Sequence, residues 1–347
     1  MVKIKRRITA PVSPVWMVFI SFTVMLAAIA LANYRRFSFR GLNFFTLLWI
    51  LCALAATQAV LSAREFIAGD RSGRWRQAVA SFSAAMFSYL PYLLMAMLYD
   101  NIGLFHAAVS PAFNDMDYRL LRLDEIIFGV QPTISLERFL NPLLVEYSMA
   151  AYSLFLLPFL FLFFIYQKGE RPVFDRLILS QVICAAIALT CFIYLPARGP
   201  RYVFDQARGG RDAELPRYGR SIEGVRIEPL YRATGVDSLF RFQYDGWNTL
   251  ERVKTDCMPS MHTTLYVLCL IFVIRYRGIF KWRRLTLWFW SISCISLIFS
   301  CVYLRYHWVM DIVAGIVLAI AAFCAADWTI GRRGTPRSGE PGTIRQT

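Results

Sequence analysis

The chain has 347 residues, of which 57% are hydrophobic and only 18% charged, and its formal net charge is +15. Apolar runs of about 18 or more residues recur along it, each long enough to cross the hydrocarbon core of a bilayer. A soluble domain could not bury so many runs, so the composition predicts an all-α, polytopic membrane helix bundle. The positive charge does not indicate nucleic acid as a partner, because the basic residues gather in the loops of one side.

Eight membrane spans are predicted in chain order. They run near 14–32, 42–62, 78–99, 143–166, 176–195, 259–275, 285–303 and 307–328. The first span follows four basic residues and ends in the small residues Ala30-Leu31-Ala32, a pattern typical of a signal peptide. Its apolar run is long for a signal peptide, so we predict that this span is retained.

The segment between the third and fourth spans contains a predicted amphipathic helix. Its sequence, Tyr118–Phe128, places charged residues between apolar ones and is followed by the helix-ending residues Gly129 and Pro132. We interpret this helix as a brace that lies at the membrane interface, in preference to a substrate contact.

The basic residues set the predicted orientation of the bundle. With the N-terminus inside, the cytoplasmic segments hold 20 Lys and Arg and the short external loops hold 7, which predicts that both termini are cytoplasmic. The long loop 196–258 is excluded, because long translocated segments escape this rule. We expect a multi-pass protein of a bacterial inner membrane. Residues 1–142 would form the N-terminal spans and interfacial helix, 143–330 the catalytic core, and 331–347 a disordered cytoplasmic tail.

The eight cysteines form no paired framework. Seven of them lie in apolar segments, where a cysteine usually serves as a small hydrophobic residue. Cys257 alone lies near residues that could do chemistry. We interpret it as incidental, because a histidine fills the role of nucleophile better.

The segment from Ser300 to Asp311 holds the strongest catalytic signal. His307 and Asp311 are four residues apart at the start of the last span, so on a helix Asp311 can hydrogen-bond one ring nitrogen of His307. That bond fixes the tautomer and leaves the other nitrogen free to act as a nucleophile. An ionisable pair in a membrane span is costly, which favours a functional role.

A second motif begins the sixth span. In Met258–His262 the proline suits the first turn of a helix, and the free N–H groups of that turn, near Ser260, would point at a bound oxyanion. His262 on the same turn can donate a proton to it. The predicted topology places His262, His307 and the loop 196–258 on the same, non-cytoplasmic face.

Four basic residues near these motifs are candidate phosphate ligands: Arg198, Arg201, Lys254 and Arg305. Arg198 and Arg201 flank a Gly-Pro turn just above a span, and two planar guanidinium groups can hold a phosphate through several donors. Arginines at span ends also snorkel to lipid headgroups, so both interpretations stay open. Together with an oriented histidine and a second histidine, the cations describe phosphoryl transfer through a phosphohistidine.

Two alternatives of other classes are weighed against this hypothesis. His and Asp four residues apart can ligate zinc, but the surrounding arginines would repel a cation, so we expect no metal and no other cofactor. Histidine–aspartate pairs also serve as proton relays, so a transporter or scaffold without enzymatic activity is the second alternative.

At these motifs the chain resembles the type-2 phosphatidic acid phosphatase superfamily, which includes lipid phosphate phosphatases and inositol phosphorylceramide synthases. Pro259-Ser260-Met261-His262 is similar to the family's P-S-x-H, and Ser300, His307 and Asp311 keep its S-x6-H-x3-D spacing. The resemblance implies that His307 attacks phosphorus, that Asp311 orients it, and that His262 protonates the leaving group.

Two departures distinguish the chain from the phosphatases of that family. Cys301 stands where they usually carry an arginine, and Arg305, one helical turn later, is the candidate substitute. Their first motif, K-x6-R-P, is absent, although Arg198–Arg201 stands near its place. The run Tyr303–Trp308 is more similar to the inositol phosphotransferase branch, and Leu123–Gly129 is similar to bacterial members of that branch.

The resemblance therefore implies a membrane lipid phosphotransferase. Such an enzyme moves a phosphorylated head group, for example inositol phosphate, from a phospholipid donor to a lipid alcohol acceptor. A lipid phosphate phosphatase or polyprenyl pyrophosphate phosphatase, with water as acceptor, is the alternative within the family. No nucleic-acid partner is expected.

Overall fold

The computed structural model describes residues 13–38, 74–109, 116–201, 203 and 255–334. Within this part of the chain all regular elements are helices, and six of them are long and apolar enough to cross a membrane. The predicted all-α membrane bundle is thereby confirmed. The predicted span 42–62, Lys254, most of the loop 196–258 and most of the tail 331–347 lie outside the described residues.

The described helices are numbered in chain order. They are α1 Pro14–Ala32, α2 Arg74–Val109, α3 Asp117–Phe128, α4 Pro132–Ser135, α5 Pro142–Ser153, α6 Leu157–Gln167, α7 Arg171–Tyr194, α8 Met261–Arg275, α9 Arg283–Tyr303 and α10 Val309–Gly334. A 3-10 turn joins α5 to α6, and together they form one apolar segment of 26 residues. The remaining apolar helix, α8, is shorter, with 15 residues.

Helix α2 differs most from the predicted spans. The sequence predicted an end at 99, before the polar pair Asp100-Asn101, but α2 continues to Val109 and its apolar segment is Phe87–Val109. The polar pair does not end the helix, because Asn101 Nδ2 donates to the backbone oxygen of Met97, one turn earlier, at 2.8 Å. An amide side chain satisfied in this way can continue a helix.

Helix α7 lies at the centre of the described bundle. It packs against α1, α2, α6, α8 and α10, and 67% of its apolar segment is buried, against 28% for α9. Its polar residues Ser180 and Gln181 are fully buried there, which keeps them away from lipid. Helix α9 instead exposes one apolar face, including Trp288, Ile292 and Ile295, as expected of a helix that contacts lipid.

Helices α8 and α10, which begin close to the two histidines, pack closely against each other. A Cβ on Gly315 of α10 would lie 2.7 Å from the backbone oxygen of Ser260 and 3.0 Å from Thr264 Oγ1, so this approach requires glycine. The N–H of Ser260 donates to the backbone oxygen of Asp311 at 3.1 Å. These contacts fix the start of α8 against the first turn of α10.

Candidate active site

The starts of α8 and α10 bring the two predicted histidines together. His307 Nε2 lies 3.4 Å from His262 Nδ1, and the other ring nitrogen of His307, Nδ1, lies 3.6 Å from Asp311 Oδ2. His307 and Asp311 are buried, whereas His262 is partly buried. The three side chains that the sequence singled out thus form one cluster.

The sequence interpretation placed His307 on the last helix, but in the structure His307 lies outside α10. It lies in the turn between α9 and α10, where its N–H donates to the backbone oxygen of Cys301 at 3.0 Å. Arg305 allows this turn by adopting a positive φ of 63°, in the left-handed region that non-glycine residues rarely occupy. Asp311 lies in the first turn of α10. The pair therefore meets across the start of the helix and not along one of its faces.

A further side chain, Cys257, lies between the carboxylate and the imidazole. Its thiol donates to Asp311 Oδ2 at 2.7 Å, and its Sγ lies 3.2 Å from His307 Nδ1. Both distances are shorter than the 3.6 Å between His307 and Asp311, which exceeds the usual length of a hydrogen bond. Burial, reinforced by the carboxylates of Asp311, Asp117 and Asp256, raises the pKa of the Cys257 thiol well above its ordinary value. Cys257 is therefore a neutral S–H donor in the cluster and not incidental to it.

The two carboxylate oxygens of Asp311 have different surroundings. Oδ2 accepts the thiol and also the N–H of Trp308 at 3.0 Å, whereas Oδ1 is buried and accepts no hydrogen bond from the described residues. A thiol sulfur, an imidazole nitrogen and a carboxylate oxygen from Cys257, His307 and Asp311 lie within 4.8 Å of one another. By ligand type, these are the residues in the described part of the chain that could hold a metal ion.

Helix α3 contributes two fully buried carboxylates to the site. Asp124 accepts the N–H of Val309 at 2.9 Å and that of Met310 at 3.0 Å, one on each oxygen. It therefore caps the start of α10, where backbone donors have no partner within the helix. Burial raises the pKa of Asp124 to about 6, although the two backbone donors oppose the shift.

The second carboxylate of α3, Asp117, joins the loop after α7 to the turn before α10. Its Oδ2 accepts the N–H of Arg198 at 2.7 Å, and its Oδ1 accepts the N–H of Gly199 and the Nε1–H of Trp308, each at 2.8 Å. Gly199 has a φ of +86°, and a Cβ there would lie 2.6 Å from the backbone oxygen of Tyr306. The interpretation of α3 as an interfacial brace was therefore incomplete, because this helix also holds both sides of the site.

The three candidate phosphate-binding arginines that the structure describes have different surroundings. Arg198 is partly exposed, and its Nε lies 3.9 Å from Asp117 Oδ2. Arg201 is buried, and its N–H donates to the backbone oxygen of Arg305 at 2.7 Å. Arg305 is also buried and forms an ion pair with Glu137, while burial lowers the pKa of its guanidinium to about 10.

A column of planar groups in contact runs from Arg201 to His262. The guanidinium of Arg201 lies 4.5 Å from the centre of the Tyr306 ring, an arrangement that attracts a cation to the ring face. Tyr306 stacks on Tyr152 at 4.1 Å with an angle of 7° between the rings, and Tyr152 lies 4.8 Å from His262. The column links a candidate phosphate ligand to the candidate proton donor.

Two serines of the sequence motifs form hydrogen bonds inside the fold. Ser260 is fully buried, and its Oγ caps α8 by accepting the N–H of Thr263 at 3.3 Å. Ser300 Oγ donates to the backbone oxygen of Ser296 at 2.6 Å. Ser260, a candidate substrate ligand from the sequence, is thus a helix cap in the structure. The remaining candidate ligand, Lys254, lies outside the described residues.

The sequence interpretation missed Asp117 and Asp124, and it treated Cys257, which it noted near the candidate residues, as incidental. The two aspartates did carry a signal, because they are seven residues apart and so share one face of α3. Leu120 and Leu121 lie on that same buried face, where an acidic residue is unexpected unless it is hydrogen-bonded. Cys257 gave no comparable signal, because its contacts come from residues about 50 positions away along the chain.

Fold and site together define a polytopic helical membrane protein with a histidine–histidine–carboxylate cluster at two helix starts. The sequence profile described as the PAP2 superfamily matches residues 119–325, and the chain belongs to this superfamily. Its members are phosphoesterase-type enzymes, so the chain is an enzyme that acts on phosphate esters. The match supports the superfamily and not one branch of it. No curated protein and no solved structure matches the chain significantly.

Proposed function

We propose that this enzyme is a lipid phosphotransferase that moves a phosphorylated head group from a phospholipid to a lipid alcohol through a phosphohistidine. The observation that carries the proposal is the arrangement of His307. One ring nitrogen faces Asp311 and Cys257, while the other faces His262 at 3.4 Å. This arrangement supports a nucleophile that is held on one side and paired with a proton donor on the other.

The first step forms the phosphohistidine. His307 Nε2 attacks the phosphorus of a phosphodiester lipid, such as phosphatidylinositol, and the bond from phosphorus to the diacylglycerol oxygen breaks. Protonated His262 gives its proton to that oxygen, so neutral diacylglycerol leaves. Arg198 and Arg201 are the proposed ligands of the non-bridging phosphate oxygens, where charge develops.

The second step transfers the head group. Neutral His262 takes the proton of the acceptor hydroxyl, whose oxygen attacks phosphorus as the bond to His307 breaks, so both histidines return to their starting states. A phosphoryl group does not fit between two nitrogens 3.4 Å apart, and the attacking and leaving groups must be roughly in line. Substrate binding must therefore move the ring of His262 away from His307.

Two features support a phosphodiester donor over a phosphomonoester. Cys301 is buried and uncharged where related phosphatases carry an arginine, and the charge of Arg305 is already compensated by Glu137. Both features leave less positive charge at the site. A dianionic monoester needs more compensating charge than a monoanionic diester, so this loss weakens recognition of the monoester more. We therefore expect phosphatidylinositol to be a better donor than phosphatidic acid.

The test is a transfer assay with the purified full-length protein in mixed micelles. A labelled ceramide or diacylglycerol acceptor is supplied with phosphatidylinositol and with phosphatidic acid in turn. Labelled transfer product from the diester is the expected result. Rapid phosphate release from phosphatidic acid, or from a polyprenyl pyrophosphate, with no transfer product from any diester, would establish the phosphatase alternative instead.

The proposed nucleophile has its own test. His307→Ala and Asp311→Ala should each abolish turnover in protein that still folds, and their effects should not add, because the pair acts as a unit. A 32P-labelled phosphoryl donor should label the wild type in an acid-labile bond and leave His307→Ala unlabelled. Substantial activity of well-folded His307→Ala would contradict the phosphohistidine.

The proposed orientation places both termini in the cytoplasm and the site on the opposite face. It rests on the distribution of Lys and Arg between the loops. Green fluorescent protein fused to the C-terminus should fluoresce, because it folds in the bacterial cytoplasm and not after export through the general secretion pathway. The opposite orientation would be indicated if this fusion is dark and alkaline phosphatase, fused at the same terminus instead, is highly active.

A further inference from the structure

We infer that Cys257, His307 and Asp311 form a site for a thiophilic divalent cation, with Zn2+ as the best fit, and that the cation switches the enzyme off. The three side chains offer a sulfur, an imidazole nitrogen and a carboxylate oxygen, which are the ligand types that zinc prefers. All three residues are buried, so the cation would be held away from bulk solvent.

The spacing of the ligand atoms is close to that of a tetrahedral zinc site. Zinc bonds of about 2.0–2.3 Å place neighbouring ligand atoms about 3.4–3.6 Å apart. The observed separations are 3.6 Å from His307 Nδ1 to Asp311 Oδ2, 3.2 Å from Nδ1 to Cys257 Sγ, and 2.7 Å from Sγ to Oδ2. Nδ1 and Sγ must separate slightly, whereas the thiol and the carboxylate must separate further. The second pair does so when the proton between the two groups leaves.

The charges of the site also favour the cation. Binding releases the thiol proton to solvent, after which the thiolate of Cys257 and the carboxylate of Asp311 neutralise a divalent ion. The buried Oδ1 of Asp311, which accepts no hydrogen bond from the described residues, becomes available as a second carboxylate ligand. Repulsion by the nearby arginines is reduced, because Arg305 pairs with Glu137 and Arg198 lies close to Asp117.

The consequence for catalysis follows from the two nitrogens of one imidazole. A cation on Nδ1 of His307 requires the neutral ring to carry its proton on Nε2. Nε2 then has no lone pair to attack phosphorus, so the enzyme is inhibited. This step rests on the proposed function, whereas binding of the cation does not.

Binding is measured first, on the full-length protein in detergent with Cd2+ as the probe, because cadmium thiolates absorb in the ultraviolet. All proteins carry Cys324→Ser, since Cys324 is exposed. Cys257→Ala is compared with Cys269→Ala, which removes another buried thiol in α8. We expect the Cys269→Ala protein to give a Cd2+ signal that Zn2+ displaces, and Cys257→Ala to lack it. Asp311→Asn, a second variant in the site, should weaken binding by about tenfold or more.

Inhibition is measured next, with each variant normalised to its own rate without metal. Zn2+ should inhibit Cys269→Ala after preincubation, and Cys257→Ala should need about tenfold more or higher. Equal Cd2+ signals in the two cysteine variants would overturn the site. Equal Zn2+ sensitivity of the two variants would overturn the inhibition. A Cd2+ signal that depends on Cys257 would uphold the site. If the same protein transfers no phosphoryl group to lipid or water, the proposed function is refuted while the site stands.

Discussion

Replacement of Asp117 by Asn tests whether α3 holds the two halves of the site together. The change keeps the shape of the side chain and removes its charge and one acceptor. Asn can retain the two donors on Oδ1, from Gly199 and Trp308, but its amide nitrogen then faces the N–H of Arg198. Asp117 is fully buried, so water cannot replace the lost bond.

The expected cost follows from the hydrogen bonds that change. Loss of one bond to a charged acceptor and the burial of one unsatisfied N–H together cost about 2–4 kcal/mol. Part of that cost falls on the loop Arg198-Gly199, which contacts the turn before His307 through the backbone of Tyr306. If half of it is lost only in the transition state, kcat/KM falls by roughly 5- to 30-fold.

The assay combines thermal unfolding in detergent with turnover of the lipid substrate. Glu125→Gln is the matched control, because Glu125 lies on the same helix and forms an i,i+3 pair with the exposed Arg122, which contributes only about 0.2–0.5 kcal/mol. Asp117→Asn should lower the unfolding temperature and kcat/KM clearly more than the control does. An Asp117→Asn protein as stable and as active as Glu125→Gln would refute the reasoning.

Three further predictions follow from single contacts. His262→Ala should be rescued by a nitrophenyl phosphodiester far more than His307→Ala, because a good leaving group needs no proton; equal losses on both substrates would contradict the roles. Gly199→Ala should destabilise the protein by about 1–2 kcal/mol from its positive φ alone, whereas Gly103→Ala, in open space within a helix, should stabilise it by about 0.5–1 kcal/mol. Because burial raises the pKa of Asp124 to about 6, its contribution to stability is complete below about pH 4 and is lost as the pH rises through about 6. From pH 4 to 7 the unfolding temperature of the wild type should therefore fall relative to that of Asp124→Asn. A difference between the two proteins that stays constant with pH would exclude this effect.

The parts of the fold that the sequence predicted well are those governed by local physics. Long apolar runs predict membrane helices because every backbone polar group must be satisfied within the span. The first span, predicted at 14–32, agrees with Pro14–Ala32, where Ser13 caps the helix and a proline stands at its start. The two histidine motifs were equally visible, since ionisable residues at the ends of apolar runs are rare and costly.

The parts that the sequence did not predict depend on contacts between distant segments. Nothing near Cys257 in the chain indicates that its thiol meets Asp311, and nothing near Arg305 indicates that Glu137 compensates its charge. The position of His307 in a turn, and not on α10, depends on the positive φ of Arg305. Local patterns identified the candidate residues, and packing determined which groups share a hydrogen bond.

Helix α3 suggests how such a site could reach a lipid without removing it from the bilayer. One face of the helix exposes the apolar side chains Ile126, Ile127 and Phe128. An amphipathic helix with an exposed apolar face lies among the lipid headgroups. Its opposite face carries Asp117 and Asp124, which hold the arginine loop and the start of α10. Under the proposed function, the same helix would set both the depth of the membrane contact and the position of the proposed catalytic cluster. The phosphate of a phospholipid lies at headgroup depth, so a site fixed to this helix would meet the phosphate while both acyl chains remain in the membrane.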